Sequence, residues 1–281
     1  MNITVIGSGV MASGIIQVLA SSSHIDAVNV VSRNVEKAEL LKVKVCKQID
    51  KMAKKGKLAQ DIADLSFEKI KLFEALDICK TSDLVIEAIS EDLLVKLELF
   101  QKLSKFISDD TIIASNTSSL SITAFGSVLP NPKNVVGLHF FNPAPLMELV
   151  EIVMGHETSP SVVEKMGALA ELLNKKPVFV NEAPGFIVNR MLIPMINEAV
   201  SILAEGVATA EDIDKAMKFG AHHPMGPLAL ADLIGNDVNL SIMETLYSET
   251  GDSKYRAHPL LRKMVRANHL GRKTNKGFFD Y

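Results

Sequence analysis

The 281-residue chain is poor in the features that would commit it to an extracellular, membrane or nucleic-acid setting. It has two cysteines, Cys46 and Cys79, 33 positions apart (79−46). That separation fits no metal or redox spacing, so both read as reduced, half-buried thiols. No stretch approaches the roughly 20 uninterrupted apolar residues that a membrane span needs. Neither sign of charge dominates: 30 Lys and Arg face 33 Asp and Glu, for a formal net charge of -3, which leaves no broad basic face for nucleic acid or a lipid surface. The apolar run starts at Ile3, without a charged leader before it, and cytoplasmic residence is the resulting expectation. Internal repeats and low-complexity segments are absent.

The length suggests two domains at roughly 100 to 200 residues each. "ITVI" at 3 to 6 is a short β-type run ended by Gly7, followed by a helical pattern from Met11 to Ala20. Val28 to Val31 forms a second strand, and a helical pattern runs from Val35 to about Lys55 with a basic end, "KMAKKGK" at 51 to 57. Apolar runs of strand length recur at 83 to 89, 111 to 116, 134 to 141 and 149 to 153. Alternating strands and helices predict a Rossmann-like, doubly wound, mostly parallel sheet. From "NEAPGFIVNR" onward the pattern is helical, over 188 to 204, 210 to 219 and 229 to 247. Pro184 and Gly185 mark the boundary, giving an α/β domain over 1 to 183 and an all-helical domain over 184 to 281.

"VIGSGVMASGI" at 5 to 15 places Gly7, Gly9 and Ala12 at the three small-residue positions of the dinucleotide fingerprint, with Val10 and Met11 opening the helix. The first glycine permits the tight turn, the second lets backbone approach a pyrophosphate, and the third position allows close helix packing. "GLHFFNPAPLMELVEIV" at 137 to 153 collects His139, Asn142 and Glu151 around two strands, and "SNTSS" at 115 to 119 ends another. Carboxyl ends of strands are where open α/β sheets bind ligand. An imidazole there can take an alcohol proton while a hydride leaves the same carbon. Glu151 reaches His139 if their strands are neighbours. His222 and His223 beside Pro224 have no clear third ligand nearby in sequence and are read as helix-end residues, so no metal is expected.

The segments "VIGSGVM", "DLVIEAISE", "ASNTSSLSI", "GLHFFNPAP", "APGFIVNRMLIPMINEA", "DIDKAMKFGAHHPMGPL" and "LGRKTNKGFFDY" together resemble the 3-hydroxyacyl-CoA dehydrogenases over essentially the whole chain. The resemblance implies reversible oxidation of an (S)-3-hydroxyacyl-CoA to the 3-oxoacyl-CoA. Likeness to the stand-alone bacterial members favours a short substrate such as the 3-hydroxybutyryl thioester. By the same resemblance His139 is the general acid/base and Glu151 its charge partner. Ser118, Asn142 and Asn189 bind the substrate's 3-oxygen and thioester region or orient the nicotinamide, Asn116 lies beside the cofactor, and Glu91 and Lys96 line it. Lys51, Lys54 and Lys55 fall where the family contacts CoA, whose phosphates are polyanionic. The helical domain closes the cleft and forms a homodimer in this family.

Departures from the family pattern are Ala12 for the third glycine, Ala229 where relatives usually carry glutamate, and Glu148 where many carry lysine. At the end of the second strand, NAD-dependent members carry an aspartate at the position assigned here to Asn34. Ser32, Arg33 and Asn34 offer a hydroxyl, a guanidinium and an amide without a repelling carboxylate, so NADP is expected over NAD. Two other functions remain open on sequence: a cofactor-binding structural protein of crystallin type, and a dehydrogenase of free β-hydroxy acids.

Overall fold

The computed structural model describes all 281 residues. They divide into two compact units, Met1–Ala183 and Pro184–Tyr281. The first unit holds eight strands: β1 (Asn2–Ile6), β2 (Ala27–Val31), β3 (Ile70–Phe73), β4 (Leu84–Glu87), β5 (Ile112–Ser115), β6 (Val135–Phe140), β7 (Leu149–Met154) and β8 (Lys176–Asn181). They form one sheet in the order β3-β2-β1-β4-β5-β6-β7-β8. The order reverses between β1 and β4, and such a switch point opens a crevice at the strands' carboxyl ends.

Strands β1, β4, β5 and β6 are near-continuous apolar runs because both sheet faces are covered. Helix α1 (Val10–Ala20) buries Ala12, Ile15, Ile16 and Leu19 in a core shared with β1, β2 and β4. Helices α2 (Val35–Lys54) and α3 (Gln60–Lys69) lead to β3, α4 (Leu93–Leu103) joins β4 to β5, and α5 (Ile122–Gly126) precedes β6. Helix α6 (Pro160–Leu172) connects β7 to β8.

The sheet departs from all-parallel pairing at one place. β6 and β7 run antiparallel, with His139 directly opposite Glu151. Only residues 141 to 148 join them, and a parallel crossover needs a dozen or more residues. Strands β3 and β8 have weak apolar signals. β3 is four residues with Lys71 facing out, and β8 is an edge strand carrying Lys176 and Pro177 with most positions exposed. Cys46 is half-buried as expected, whereas Cys79 is wholly buried in a 3-10 turn. Burial pushes its thiol up to about 12.

The second unit is helical: α7 (Val188–Ala204), α8 (Ala210–Gly220), α9 (Pro227–Ile234), α10 (Asn236–Thr250) and α11 (Pro259–Arg266). The expected single helix over 229 to 247 is two, broken at Gly235, whose φ of +107° suits glycine alone. The break places Asp232, 1% exposed, against the end of the chain. Its carboxylate accepts from the backbone of Phe278 at 3.0 Å and Phe279 at 2.9 Å, from the Asn236 amide at 3.0 Å and from the Tyr281 hydroxyl at 3.2 Å. A buried carboxylate is tolerated because its oxygens are so satisfied. No helix in either unit is long and apolar enough to cross a membrane.

Candidate active site

The turn after β1 is shaped by what its glycines lack. Gly7 has φ +133°, and a Cβ there would lie 2.5 Å from the carbonyl oxygen of Ala88 after β4. Its N–H donates to the carbonyl of Val31, tying the turn to β2 at 3.0 Å. Gly9 is the N-cap of α1, no side chain caps that helix, and its first turn holds no acid. A Cβ on Gly9 would meet nothing within 4 Å. Uncapped amides at a helix N-terminus beside open space form an anion site, so these residues fit a dinucleotide pyrophosphate. The space is a cleft of about 790 Å³ bordered by Gly7 to Met11, the end of β2, the segment after β4, and Leu99 and Lys102 of α4.

At the end of β2, Ser32 is the first residue past the strand, buried, with its hydroxyl 3.2 Å from that of Ser8 in the phosphate turn. Asn34 is engaged otherwise. It caps α2, accepting from the Lys37 N–H at 2.8 Å. Ser32 is thus set against the glycine turn, and Asn34 borders the cleft while it caps the helix. Arg33 is exposed and borders the cleft with Lys37 and Lys102, against Glu74 and Glu98. Lys102, 2.6 Å away, and more weakly Arg33 hold the Glu98 carboxyl below its ordinary range.

Across β6 and β7, His139 Nδ1 lies 2.7 Å from Glu151 Oε2, both side chains nearly inaccessible at 7% and 1%. Directly opposed residues in an antiparallel pair share a face, so the register alone brings the pair together. The Phe141 ring packs 4.4 Å from the imidazole, centroid to centroid. On the same face Gly137 makes room: a Cβ there would sit 2.8 Å from that of Val153 and 3.0 Å from Ile122. Asn116, just past β5, accepts from the Phe140 N–H at 2.9 Å, which lashes the "SNTSS" loop to the histidine strand.

That loop is organised by Glu91. One carboxylate oxygen accepts from the Thr117 hydroxyl at 2.7 Å, the Ser118 N–H at 2.7 Å, the Ser118 hydroxyl at 3.1 Å and the Ser119 N–H at 3.2 Å. The other is 3.4 Å from Lys96 Nζ. Burial alone would raise the Glu91 carboxyl; the Lys96 ammonium and the donors from Thr117 and Ser118 outweigh it and hold it below its ordinary range. Lys96, expected to line the cofactor, is 1% exposed and does not border the cleft. Its ammonium is bound by both oxygens of the wholly buried Glu87, at 2.6 and 2.8 Å. Glu87 also accepts from Ser115 at 2.6 Å and from the Ile89 N–H at 2.7 Å. Sequence reasoning missed Glu87, although a carboxylate inside "DLVIEAI" is a signal, because a charge in a buried strand requires a partner.

Asn142 is exposed, beside a cis bond to Pro143. Asn189 lies in the first turn of α7, in the second unit. Lys51, Lys54 and Lys55 are exposed at the end of α2, Lys54 pairing with Asp50 at 2.7 Å. His222 adopts φ +56° just after α8.

The chain matches known proteins over both of its units. Residues 2–183 match the model of the 3-hydroxyacyl-CoA dehydrogenase NAD binding domain, and residues 185–281 that of the 3-hydroxyacyl-CoA dehydrogenase C-terminal domain. A 3-hydroxybutyryl-CoA dehydrogenase of Clostridioides difficile is 50% identical, covering 100% of this chain and 99% of its own. The human mitochondrial hydroxyacyl-coenzyme A dehydrogenase is 38% identical over 100% of this chain and 91% of its own. The crystal structure of an (S)-3-hydroxybutyryl-CoA dehydrogenase from Ralstonia eutropha superposes with a TM-score of 0.95 at 41% identity, covering 100% of this chain and 98% of that one. The protein is thus a nicotinamide-dependent oxidoreductase. It belongs to the 3-hydroxyacyl-CoA dehydrogenase family.

Because the folded Glu91 carboxyl sits below its ordinary 4.5, its ionisation adds stability above that pH, and the contribution is lost as pH falls through the folded value. Thermal denaturation of the wild type and Glu91→Gln from pH 7 to 3 should show the wild type more stable at neutrality and the gap closing on acidification. A gap independent of pH would contradict the account of Glu91.

Proposed function

We propose that the protein interconverts (S)-3-hydroxybutyryl-CoA and acetoacetyl-CoA, with His139 as general acid/base, Glu151 as its orienting partner and NADP(H) as the preferred cofactor. The observation that carries the reading is the buried His139–Glu151 contact of 2.7 Å beside the loop held by Asn116 and Glu91. When bound, the nicotinamide supplies the acceptor or donor of the hydride at C3 of the acyl chain.

With Nδ1 directed at the Glu151 carboxylate, a neutral imidazole carries its proton there and keeps the Nε2 lone pair. Nε2 takes the 3-hydroxyl proton as the carbonyl forms, and returns it in reduction. Glu151 fixes the ring orientation and stabilises the imidazolium. Ser118, Asn142 and Asn189 bind the substrate's 3-oxygen and thioester region or orient the nicotinamide. Asn116 orients the nicotinamide, and Glu91 serves the same face. Lys96 acts through Glu91. Lys51, Lys54 and Lys55 receive the CoA phosphates. The unit over 1 to 183 holds the cofactor, and that over 184 to 281 serves substrate enclosure and dimerisation in a cytoplasmic homodimer. Ala229 and Glu148, which replace the glutamate and lysine of relatives, belong to substrate preference or closure.

The NADP preference rests on the end of β2. Ser32 stands there instead of a carboxylate, and Arg33 borders the cleft. A guanidinium binds phosphate strongly, whereas a carboxylate at this place hydrogen-bonds ribose hydroxyls.

Oxidation of NADPH and NADH is to be followed with acetoacetyl-CoA. His139→Ala should abolish turnover with dinucleotide affinity retained; an equal loss of affinity and rate would contradict the role of His139. The structural-protein alternative requires cofactor binding without turnover, and the free-acid alternative requires turnover of acetoacetate above acetoacetyl-CoA. Arg33→Asp should move the ratio of kcat/KM toward NADH by on the order of tenfold, about 1.4 kcal/mol, and an unchanged ratio would remove the NADP assignment.

A further inference from the structure

Residues 141 to 148 link the histidine strand to the glutamate strand, and two features outside the reacting groups fix this loop. Lys175, between α6 and β8, is 8% exposed. Its ammonium donates to the carbonyls of Ala144 at 2.7 Å and Met147 at 2.8 Å. From the other side the loop leans on α1. Ala144 is 2% exposed, and a Cβ on Gly14 would lie 3.1 Å from the Ala144 Cβ and 3.4 Å from both the Ala144 nitrogen and Pro145. Within the loop the Pro143 carbonyl accepts from the N–H groups of Leu146 at 2.9 Å and Met147 at 3.0 Å. Beyond it, Glu148 pairs with Lys176 at 2.6 Å.

A lysine ammonium is strongly hydrated, and burying it requires compensating acceptors. The two carbonyls supply that compensation, and in return the charge-assisted bonds hold the loop. We infer that Lys175 is a positioning residue for the dehydrogenase reaction, fixing the 142–147 loop against the phosphate-binding helix and through it the amide of Asn142. The inference rests on the reading of Asn142 as a substrate-contacting group. The absence of a side chain at Gly14 belongs to the same device: it sets how closely the loop approaches the helix that carries the dinucleotide turn.

The test combines rate, affinity and amide exchange. Lys175→Met should lower kcat with acetoacetyl-CoA about tenfold or more, since displacements near 1 Å at a reacting centre carry losses of up to about a hundredfold. Dinucleotide Kd should change less than about twofold. Combined with Asn142→Ala, it should lower the rate no further than the worse single variant, because both act through one group. Amide hydrogen exchange at Leu146 and Met147 should rise about tenfold or more. Wild-type kcat, losses that multiply with Asn142→Ala, or unchanged exchange at those amides would each overturn the inference. Should Lys175→Met not fold, Gly14→Ala presses the same loop from a helix that tolerates alanine, and lowered kcat is expected; wild-type kcat there would overturn the inference as well. Retained rate in Asn142→Ala alone would instead remove the reading of Asn142, while the exchange measurement still decides the role of Lys175.

Discussion

The site depends on one register. Antiparallel pairing of β6 with β7 sets His139 opposite Glu151, and a slip of one residue would send the two side chains to opposite faces of the sheet. Everything near the histidine conforms to that pairing. Gly137 and Val153, the pair two residues earlier on the same face, leave room for Ile122 of α5. Asn116 fastens the neighbouring loop to the backbone of the histidine strand. The antiparallel turn in an otherwise parallel sheet is therefore the device that joins an imidazole to a carboxylate without a long connection.

A second system, buried at Glu87 and Lys96 and partly exposed at Glu91, stands behind the "SNTSS" loop. Glu87, Lys96 and Glu91 place two carboxylates around one ammonium, with further donors from Ser115, Thr117 and Ser118. Such a cluster is costly in desolvation unless every oxygen is satisfied. Here it fixes a loop that carries polar groups toward the carboxyl ends of β5 and β6. Glu87 and Lys96 do this without bordering the cleft beside the glycine turn.

Much of this was legible in the chain. Continuous apolar runs identified β1, β2 and β4 to β7, and the glycine spacing identified the tight turn between β1 and α1, because these features follow from local backbone and burial requirements. The 3.6-residue periodicity found α7 and α8, but it ran through Gly235, where a positive φ ends α9. β8 was hidden because an exposed edge strand has no apolar alternation to show. The roles of Lys96 and Lys175 were hidden for another reason. Sequence reasoning has Lys96 lining the cofactor and finds no signal at Lys175, and only the tertiary packing shows the acceptors that surround each ammonium. Asn34 illustrates the same limit: its residue type suited a ribose contact, and only the fold shows that, three residues past the strand, it also caps a helix.

The central claim is that Glu151 works by holding and charging the His139 imidazole. Steady-state turnover of Glu151→Gln with acetoacetyl-CoA, measured beside its dinucleotide Kd, tests this most directly. A kcat lowered by about a hundredfold or more at neutral pH with Kd nearly unchanged is the predicted result, in the range ascribed to general acid–base catalysis. Near-normal turnover would contradict the account.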